Sequence, residues 1–152
     1  MVVFTINWEM TMGLVAKNMR KLGMNQPILT GAMEVAKYIE YGGEAVNGTI
    51  IGLPFIGFEE PKDRADFAKR FKAKYGKDPV VHNVWGYDAA KILSLGLESG
   101  YPTVTRESVY QGIKSISGVR MLQGVYDFKA SQDGITKSEM VRLVNGKTVS
   151  IK

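Results

Sequence analysis

The chain has 152 residues, of which 45% are hydrophobic and 23% charged, and these proportions suit one globular domain. Its net charge of +5 is mild and its most basic stretch, "KRFKAKYGK", has the spacing of a solvated helix face, so we expect no nucleic-acid partner. Cysteine is absent, which excludes disulfides, thiolate catalysis and cysteine-ligated zinc.

The first third of the chain alternates strand and helix patterns. "VVFTIN" is a β-branched run that predicts a buried strand. "TMGLVAKNMRKLG" predicts a helix whose apolar positions have helical spacing: Leu14, Val15, Met19 and Leu22. "QPILTG", "EVAKYIEYGG" and "NGTIIGLP" predict a second strand, a second helix and a third strand. This order predicts parallel strands joined by right-handed crossovers.

Three helix patterns then follow with no strand pattern between them. Asp63 is the expected cap of the first, whose aromatic face consists of Phe67, Phe71 and Tyr75. The second is predicted from about Tyr87 to Ser99, with an apolar stripe of Ile92, Leu93, Gly96 and Leu97. Thr105 is the expected cap of the third, which carries Val109, Ile113 and Ile116. Their apolar faces need a sheet that this segment does not supply.

The tail returns to strand patterns. "GVYDF" alternates in polarity, and "KASQDG" is typical of a turn. The alternating runs "EMVRLV" and "KTVSIK" flank Asn145 and Gly146, and Asn-Gly in that position predicts a β-hairpin. The predicted fold class is therefore α/β, with a parallel βαβαβ unit, further helices and a C-terminal β-hairpin.

Patterns typical of catalysis are missing from the sequence. One histidine without cysteine leaves few acid–base pairs, and there is no G-x-S-x-G elbow, Walker loop or G-x-G-x-x-G. The acidic stretches "FEEPKD" and "WEM" have no histidine at metal-ligand spacing. We therefore expect no catalytic residues, no metal and no cofactor, and a small α/β enzyme is the weakest alternative.

Two tryptophans and the only histidine are the candidate binding residues. Trp8 follows the first predicted strand, and ligands of open α/β sheets bind at the carboxyl ends of strands. His82 and Trp85 precede the second predicted helix of the middle segment. Each has a structural alternative, since tryptophans often pack in cores and a lone histidine at a helix start rarely binds a metal.

Five short patterns, in this order and spacing, resemble a known family. They are "RKLGMNQPILTG", "GGEAVNGTIIGLPF", "FAKRFKAKYGKDP", "YDAAKILSLGLESG" and "GVYDF" followed by "DG". Together they resemble the C-terminal half of the type I periplasmic solute-binding proteins. The most similar branch is the Leu/Ile/Val-binding one, the receptors of branched-chain amino acid ABC importers, and the resemblance covers essentially the whole chain.

The resemblance implies a two-lobe fold with three crossings and the ligand between the lobes. Residues 1–55 are then part of the C-terminal lobe, 56–60 a hinge crossing, and 61–118 helices of the N-terminal lobe. Residues 119–152 are the third crossing and the return strands of the C-terminal lobe. The sheet of the N-terminal lobe and a leader peptide are expected upstream of Met1, since "MVVFTINWEM" is not a signal peptide.

The resemblance also implies where a ligand binds. In the family an aromatic residue after the opening strand packs on the bound amino acid, and Trp8 holds that position. The acid that receives the ligand's ammonium group aligns with Ala32, and Glu34 is the nearest substitute. His82, with Trp85 beside it, lies where the family places a pocket side chain. Unless Glu34 or an acid from upstream replaces the missing carboxylate, the ligand is expected to be an aromatic or aliphatic carboxylate without an ammonium group.

The function implied is the solute-binding component of an ABC importer for amino acids or small carboxylates, present as a C-terminal fragment and located in the periplasm or outside the cell. Its partners are a small-molecule ligand, the ABC permease and, because uncovered apolar helices favour self-association, a second copy of the chain. The alternatives are a ligand-sensing receptor domain of the same fold and a structural or interaction module with a dead site.

Overall fold

The computed structural model describes residues 1–135 and 137–151. In chain order its elements are β1 (Val3–Thr5), α1 (Glu9–Lys21), β2 (Ile28–Thr30), α2 (Val35–Gly42), a short 3-10 helix (Gly43–Val46), β3 (Ile50–Leu53), α3 (Lys62–Tyr75), α4 (Val81–Gly100), α5 (Arg106–Ser115), β4 (Val119–Arg120), β5 (Val125–Tyr126), β6 (Glu139–Val144) and β7 (Lys147–Ser150). They form two compact units, Met1–Ile56 with Ser138–Lys152, and Gly57–Lys137.

The first unit contains a five-stranded sheet in the order β1-β2-β3-β6-β7. β1, β2 and β3 are parallel, whereas β6 pairs antiparallel with β3 and β7 antiparallel with β6. This confirms the predicted βαβαβ unit. The hairpin between β6 and β7 is also confirmed, and Asn145 and Gly146 have positive φ angles of 49° and 76°, as a type I′ turn requires.

One face of this sheet is covered by α1 and α2. Because both crossovers run in the same direction along the sheet, right-handedness places both helices on the same side. The paired residues Thr30, Ile51 and Val141 face these helices and are 3%, 0% and 0% exposed. Tyr38 of α2 is fully buried in the same core, and its hydroxyl forms a hydrogen bond with Thr49 at 3.1 Å.

The buried face of α1 differs from the predicted one. Of the predicted apolar positions only Met19 is buried, while Leu14, Val15 and Leu22 are exposed. Met12 and Ala16 face the core with Met19 instead. The reason is the close approach of α2, since a Cβ atom at Gly13 would lie 2.7 Å from the backbone nitrogen of Gly42. The glycine at position 13 thus sets the contact face, and Leu14, Val15 and Leu22 point away from it.

The opposite face of the sheet is open within the described residues. A second row crosses all five strands: Phe4, Leu29, Ile50, Arg142 and Val149. Phe4 and Val149, at the two edges, are 61% and 50% exposed. Parallel sheets ordinarily have both faces covered, so this surface is typical of an interface.

The second unit combines α3, α4 and α5 with the antiparallel pair β4–β5. The aromatic face of α3 is confirmed, since the ring centroids of Phe67 and Phe71 are 5.8 Å apart and those of Phe71 and Tyr75 4.6 Å apart. α4 and α5 pack closely at glycines, because a Cβ atom at Gly112 would lie 2.9 Å from the carbonyl oxygen of Gly96.

The start of α4 lies earlier than predicted. The helix begins at Val81 rather than near Tyr87, so His82 and Trp85 lie within its first turns instead of before it. The cause is a reversed cap, in which the Asn83 side-chain oxygen accepts a hydrogen bond from the Val80 N–H at 2.8 Å. Periodicity alone does not reveal such a cap.

The two predicted N-caps have different outcomes. Thr105 caps α5 as expected, and its hydroxyl oxygen accepts a hydrogen bond from the Ser108 N–H at 3.0 Å. Asp63 does not cap α3, because the N-cap position is occupied by Pro61. Asp63 lies in the first turn and accepts a hydrogen bond from the Arg64 N–H at 2.9 Å.

Candidate functional site

Three of the five candidate residues lie at one edge of the first unit. β1 ends at Thr5 and β2 at Thr30, and parallel strands end at the same edge of a sheet. Trp8 is the N-cap of α1 and Glu34 the N-cap of α2, while Ala32 lies in the loop after β2. The edge is therefore the one at which open α/β sheets bind ligands.

Trp8 presents an aromatic surface at this edge. Its side chain is 75% exposed, so it is not a core residue of the unit. Ile6 and Met10 on either side of it are 73% and 48% exposed. A large exposed indole beside other apolar side chains suits contact with a ligand or partner.

A residue that the sequence analysis did not select completes this group. Glu9, the first residue of α1, accepts a hydrogen bond through Oε1 from the Glu34 N–H at 2.9 Å. Ala32 is exposed and offers only a methyl group, whereas Glu9 and Glu34 are both half-buried. The sequence feature that could have identified Glu9 is its position next to Trp8 in "NWEM".

The other two candidates, His82 and Trp85, belong to the second unit. Their ring centroids are 5.0 Å apart, and the rings meet edge to face at 85°. His82 is exposed and Trp85 half-buried. The structure thus brings these two residues together on the first turns of α4, where the imidazole has an aromatic neighbour.

Two buried charged residues, also missed from the sequence, contact the loop between β4 and β5. Asp88 is fully buried and accepts hydrogen bonds from the N–H groups of Leu122 at 3.0 Å and Gln123 at 2.8 Å. Arg64 donates from Nε to the Leu122 carbonyl oxygen at 2.9 Å. Burial raises the pKa of Asp88, and the two N–H groups oppose that rise.

Tyr126 belongs to the same network. Burial raises the pKa of its phenol to about 12, and the charge of Asp88 and a hydrogen bond to it act in the same direction. A phenol with this pKa stays neutral at physiological pH, so its hydroxyl donates a hydrogen bond to the Asp88 carboxylate. The arrangement holds the loop between β4 and β5 in place.

An open cavity of about 580 Å³ lies on the second unit. Its lining is mostly charged and includes Asp66, Lys69, Lys91 and Arg120, but none of the five candidate residues. Arg120 is paired with Asp63 at 3.3 Å across this surface. Within residues 1–135 and 137–151, no group of three or more His, Cys, Asp or Glu side chains is arranged to hold a metal ion.

Comparison with known proteins identifies the family to which the sequence is similar. The sequence matches the family described as "Periplasmic binding protein" over residues 1–147. A search of curated proteins finds no match. In the helices that the structure describes, none is both long and apolar enough to cross a membrane.

Solved structures with the same fold include three informative ones. A leucine-binding protein from Thermotoga maritima has a TM-score of 0.80 and 24% identity, with 99% of this chain and 43% of that chain covered. A branched-chain amino acid transporter substrate-binding protein from Streptococcus pneumoniae, in complex with isoleucine, has a TM-score of 0.73 and 15% identity, with 99% of this chain and 44% of that chain covered. An ABC transporter solute-binding protein from R. palustris, in complex with benzoate, has a TM-score of 0.75 and 19% identity, with 99% of this chain and 42% of that chain covered.

The fold of these structures is therefore the fold of this chain, which spans less than half of their length. The predicted type I periplasmic-binding-protein architecture is confirmed, with parallel strands β1, β2 and β3 in an open sheet. Because the family match extends over nearly all of the sequence, the chain belongs to the periplasmic binding protein family.

Proposed function

We propose that the chain forms part of the extracytoplasmic solute-binding component of an ABC importer for amino acids or small carboxylates. The observation that carries this proposal is the exposed Trp8 at the carboxyl ends of the parallel strands, in a member of a binding-protein family. The protein acts in the periplasm or outside the cell, and it binds its solute without transforming it.

The mechanism we propose is closure of two lobes around the ligand, in which residues 56–60 act as a hinge crossing. Residues 1–55 and the return strands within 119–152 are assigned to the C-terminal lobe, and the helices within 61–118 to the N-terminal lobe. The division of the chain after Ile56 and before Ser138 supports this assignment. The ABC permease is the partner that would recognise the closed form.

The ligand class follows from the side chains at the candidate positions. Trp8 and Trp85 supply stacking surfaces worth on the order of 1 kcal/mol each beyond the area they bury. His82 can donate a hydrogen bond to a carboxylate. The similar structures that contain isoleucine and benzoate support an amino acid and an aromatic carboxylate as the two ligands to test.

Solution NMR of the isotopically labelled chain tests this proposal. Isoleucine and benzoate are added separately at millimolar concentration, because the chain alone supplies only part of the contacts expected of a closed cleft. We expect either ligand to shift the amide signals around Trp8 and Glu34. In Trp8→Ala these ligand-induced shifts should disappear, while the fold stays intact because position 8 is exposed. If neither ligand shifts any signal, the chain is not a solute-binding unit and the interaction-module alternative is favoured.

A further inference from the structure

Two asparagine–glycine pairs occur in the sequence, and a valine precedes each of them. Asn47-Gly48 lies before β3, and Asn145-Gly146 forms the turn between β6 and β7. In such a pair the backbone nitrogen of the glycine can attack the side-chain amide of the asparagine, because glycine has no Cβ to obstruct the approach. Since the tripeptide "VNG" is common to both positions, the folded structure is the main source of any difference in their reactivity.

In the first pair, hydrogen bonds hold both of the groups that would react. Oδ1 of Asn47 accepts a hydrogen bond from the Asn145 N–H at 2.9 Å. The Gly48 N–H donates to the Leu143 carbonyl oxygen at 2.7 Å, and the Leu143 N–H donates to the Thr49 carbonyl oxygen at 2.8 Å. Attack by the Gly48 nitrogen therefore requires that the segment first separates from β6.

The second pair has neither restraint. Asn145 and Gly146 are both exposed, and within residues 1–135 and 137–151 no hydrogen bond involves the Asn145 side chain or the Gly146 N–H. They form a two-residue turn that leads into β7, the edge strand of the sheet. An exposed turn at the end of an edge hairpin opens locally at low free-energy cost, so the Gly146 nitrogen can reach the Asn145 side chain.

We propose that Asn145 is a site of spontaneous conversion to aspartate and isoaspartate, and that the fold protects Asn47 from the same reaction. The Gly146 nitrogen gives its proton to water or hydroxide and forms a bond to Cγ of Asn145, and the side-chain nitrogen leaves as ammonia. Water then opens the succinimide ring. Cleavage of the bond between the nitrogen and Cγ gives aspartate, whereas cleavage of the bond between the nitrogen and the backbone carbonyl carbon gives isoaspartate. Overall, water is consumed and ammonia is released.

Both products change the turn. Each carries a negative charge in place of a neutral amide, and isoaspartate also adds a carbon atom to the main chain between Val144 and Lys147. These two residues are paired in the register of β6 with β7. Because the length of a hairpin loop fixes the register of its strands, the added atom should weaken the pairing of β7.

Incubation of the 152-residue chain at mildly alkaline pH, followed by trypsin digestion and mass spectrometry, tests the proposal. The two asparagines fall in different tryptic peptides, residues 38–62 and 143–147, and chromatography separates the isoaspartate and aspartate forms of each. We expect position 145 to convert at least about tenfold faster than position 47, since hydrogen bonds must break only at position 47. In urea, where the chain is unfolded, the two rates should converge.

Asn145→Gln is the control variant, because glutamine would have to close a larger ring. Its peptide 143–147 should stay unmodified, while position 47 behaves as in the unsubstituted chain. Conversion of Asn145 no faster than that of Asn47 in the folded chain would overturn the proposal, and so would a folded chain in which Asn145 does not convert. An equal preference for position 145 in folded and unfolded chains would assign it to the following residue, and would overturn the role of the fold.

Hydrogen exchange tests the effect on the sheet. In the separated isoaspartate form, the amides of β7 should exchange faster than in the unmodified chain, whereas those of β2 should be unchanged. Unchanged exchange in β7 would overturn the effect assigned to the added carbon atom. None of these measurements involves a ligand, so failure of this inference leaves the proposed function unaffected.

Discussion

Trp8 has three quarters of its side chain exposed although tryptophan is usually at least half-buried in folded proteins. In a Trp85→Phe variant it is the only tryptophan, and we expect iodide to quench its fluorescence nearly as efficiently as that of an exposed indole. The reverse variant, Trp8→Phe, leaves the half-buried Trp85 and should be quenched less. Absence of quenching in the first variant would place Trp8 in a packed environment and contradict its assignment to the ligand site.

Asp88 anchors the loop between β4 and β5 through two backbone N–H groups. Asp88→Ala leaves the buried N–H groups of Leu122 and Gln123 without their acceptor, which should lower the free energy of unfolding by about 3 kcal/mol. Urea denaturation followed by circular dichroism measures this. The exposed Asp133→Ala is the control, with an expected change within about 0.5 kcal/mol. Equal effects of the two changes would show that Asp88 does not hold the loop.

The carboxylate of Asp127 makes the stability of its turn depend on pH. A hydrogen bond from the Ser117 hydroxyl at 2.8 Å and N–H groups of Ala130 and Lys129 hold the pKa of Asp127 below its ordinary value of 3.8. Because the folded-state pKa is the lower one, the stabilisation is present above the unfolded-state pKa. It is lost as pH falls through the folded-state value.

Ser117→Ala removes the first of these hydrogen bonds and should raise the pKa of Asp127 toward its ordinary value. Carbon-detected NMR titration of the side-chain carboxyl measures the pKa in both proteins. The variant should also lose less stability than the unsubstituted chain as the solution is acidified. An unchanged pKa would mean that the backbone N–H groups alone set it.

At the scale of elements, the contact between α4 and α5 depends on glycine. A Cβ atom at Gly112 would lie 2.8 Å from Cβ of Ser99 and 2.9 Å from the Gly96 carbonyl oxygen. Gly112→Ala must therefore push the helices apart, at a cost of about 1–3 kcal/mol. Gly86→Ala is the matched control within α4, where a Cβ atom meets nothing within 4 Å, and better helix propensity should stabilise by up to about 1 kcal/mol. Thermal unfolding should therefore give a lower Tm for Gly112→Ala and a higher Tm for Gly86→Ala. A lower Tm for Gly86→Ala would contradict this account.

At the scale of the whole molecule, the exposed apolar surface favours association. Leu93 and Leu97 of α4 are 50% and 42% exposed, and the open sheet face of the other unit carries Phe4 and Val149. We expect a homo-oligomer, most simply a dimer in which each copy covers helices of the other, because large apolar patches seldom stay in water. Light scattering should give at least twice the mass of one chain. Replacing Leu93 and Leu97 with glutamate should lower that mass.

Two results would contradict the expected homo-oligomer. A monodisperse monomer that does not enhance ANS fluorescence would show that these side chains are not a continuous apolar patch. A monomer that binds ANS would mean that a patch is present but does not bind a second copy.

Local signals in the sequence determined much of the fold. The alternation of strand and helix patterns specified the parallel βαβαβ unit, and Asn145-Gly146 specified the hairpin turn. Thr105 was identifiable as a cap because capping involves atoms only three residues apart. The individual strands, helices and turns were predictable since each depends on residues close in sequence, and the order of such patterns predicted the parallel unit and carried the resemblance to the family.

Features that depend on distant residues were decided only by the tertiary structure. The contact face of α1 follows from the approach of Gly42 to Gly13, which turns Met12, Ala16 and Met19 toward the core and leaves Leu14 and Leu22 exposed. Asp88 meets Leu122 across 34 residues, and Glu9 meets Glu34 across 25. Hydrogen bonds of this kind leave no periodic signal in the sequence, because their partners become neighbours only when the strands and helices pack together.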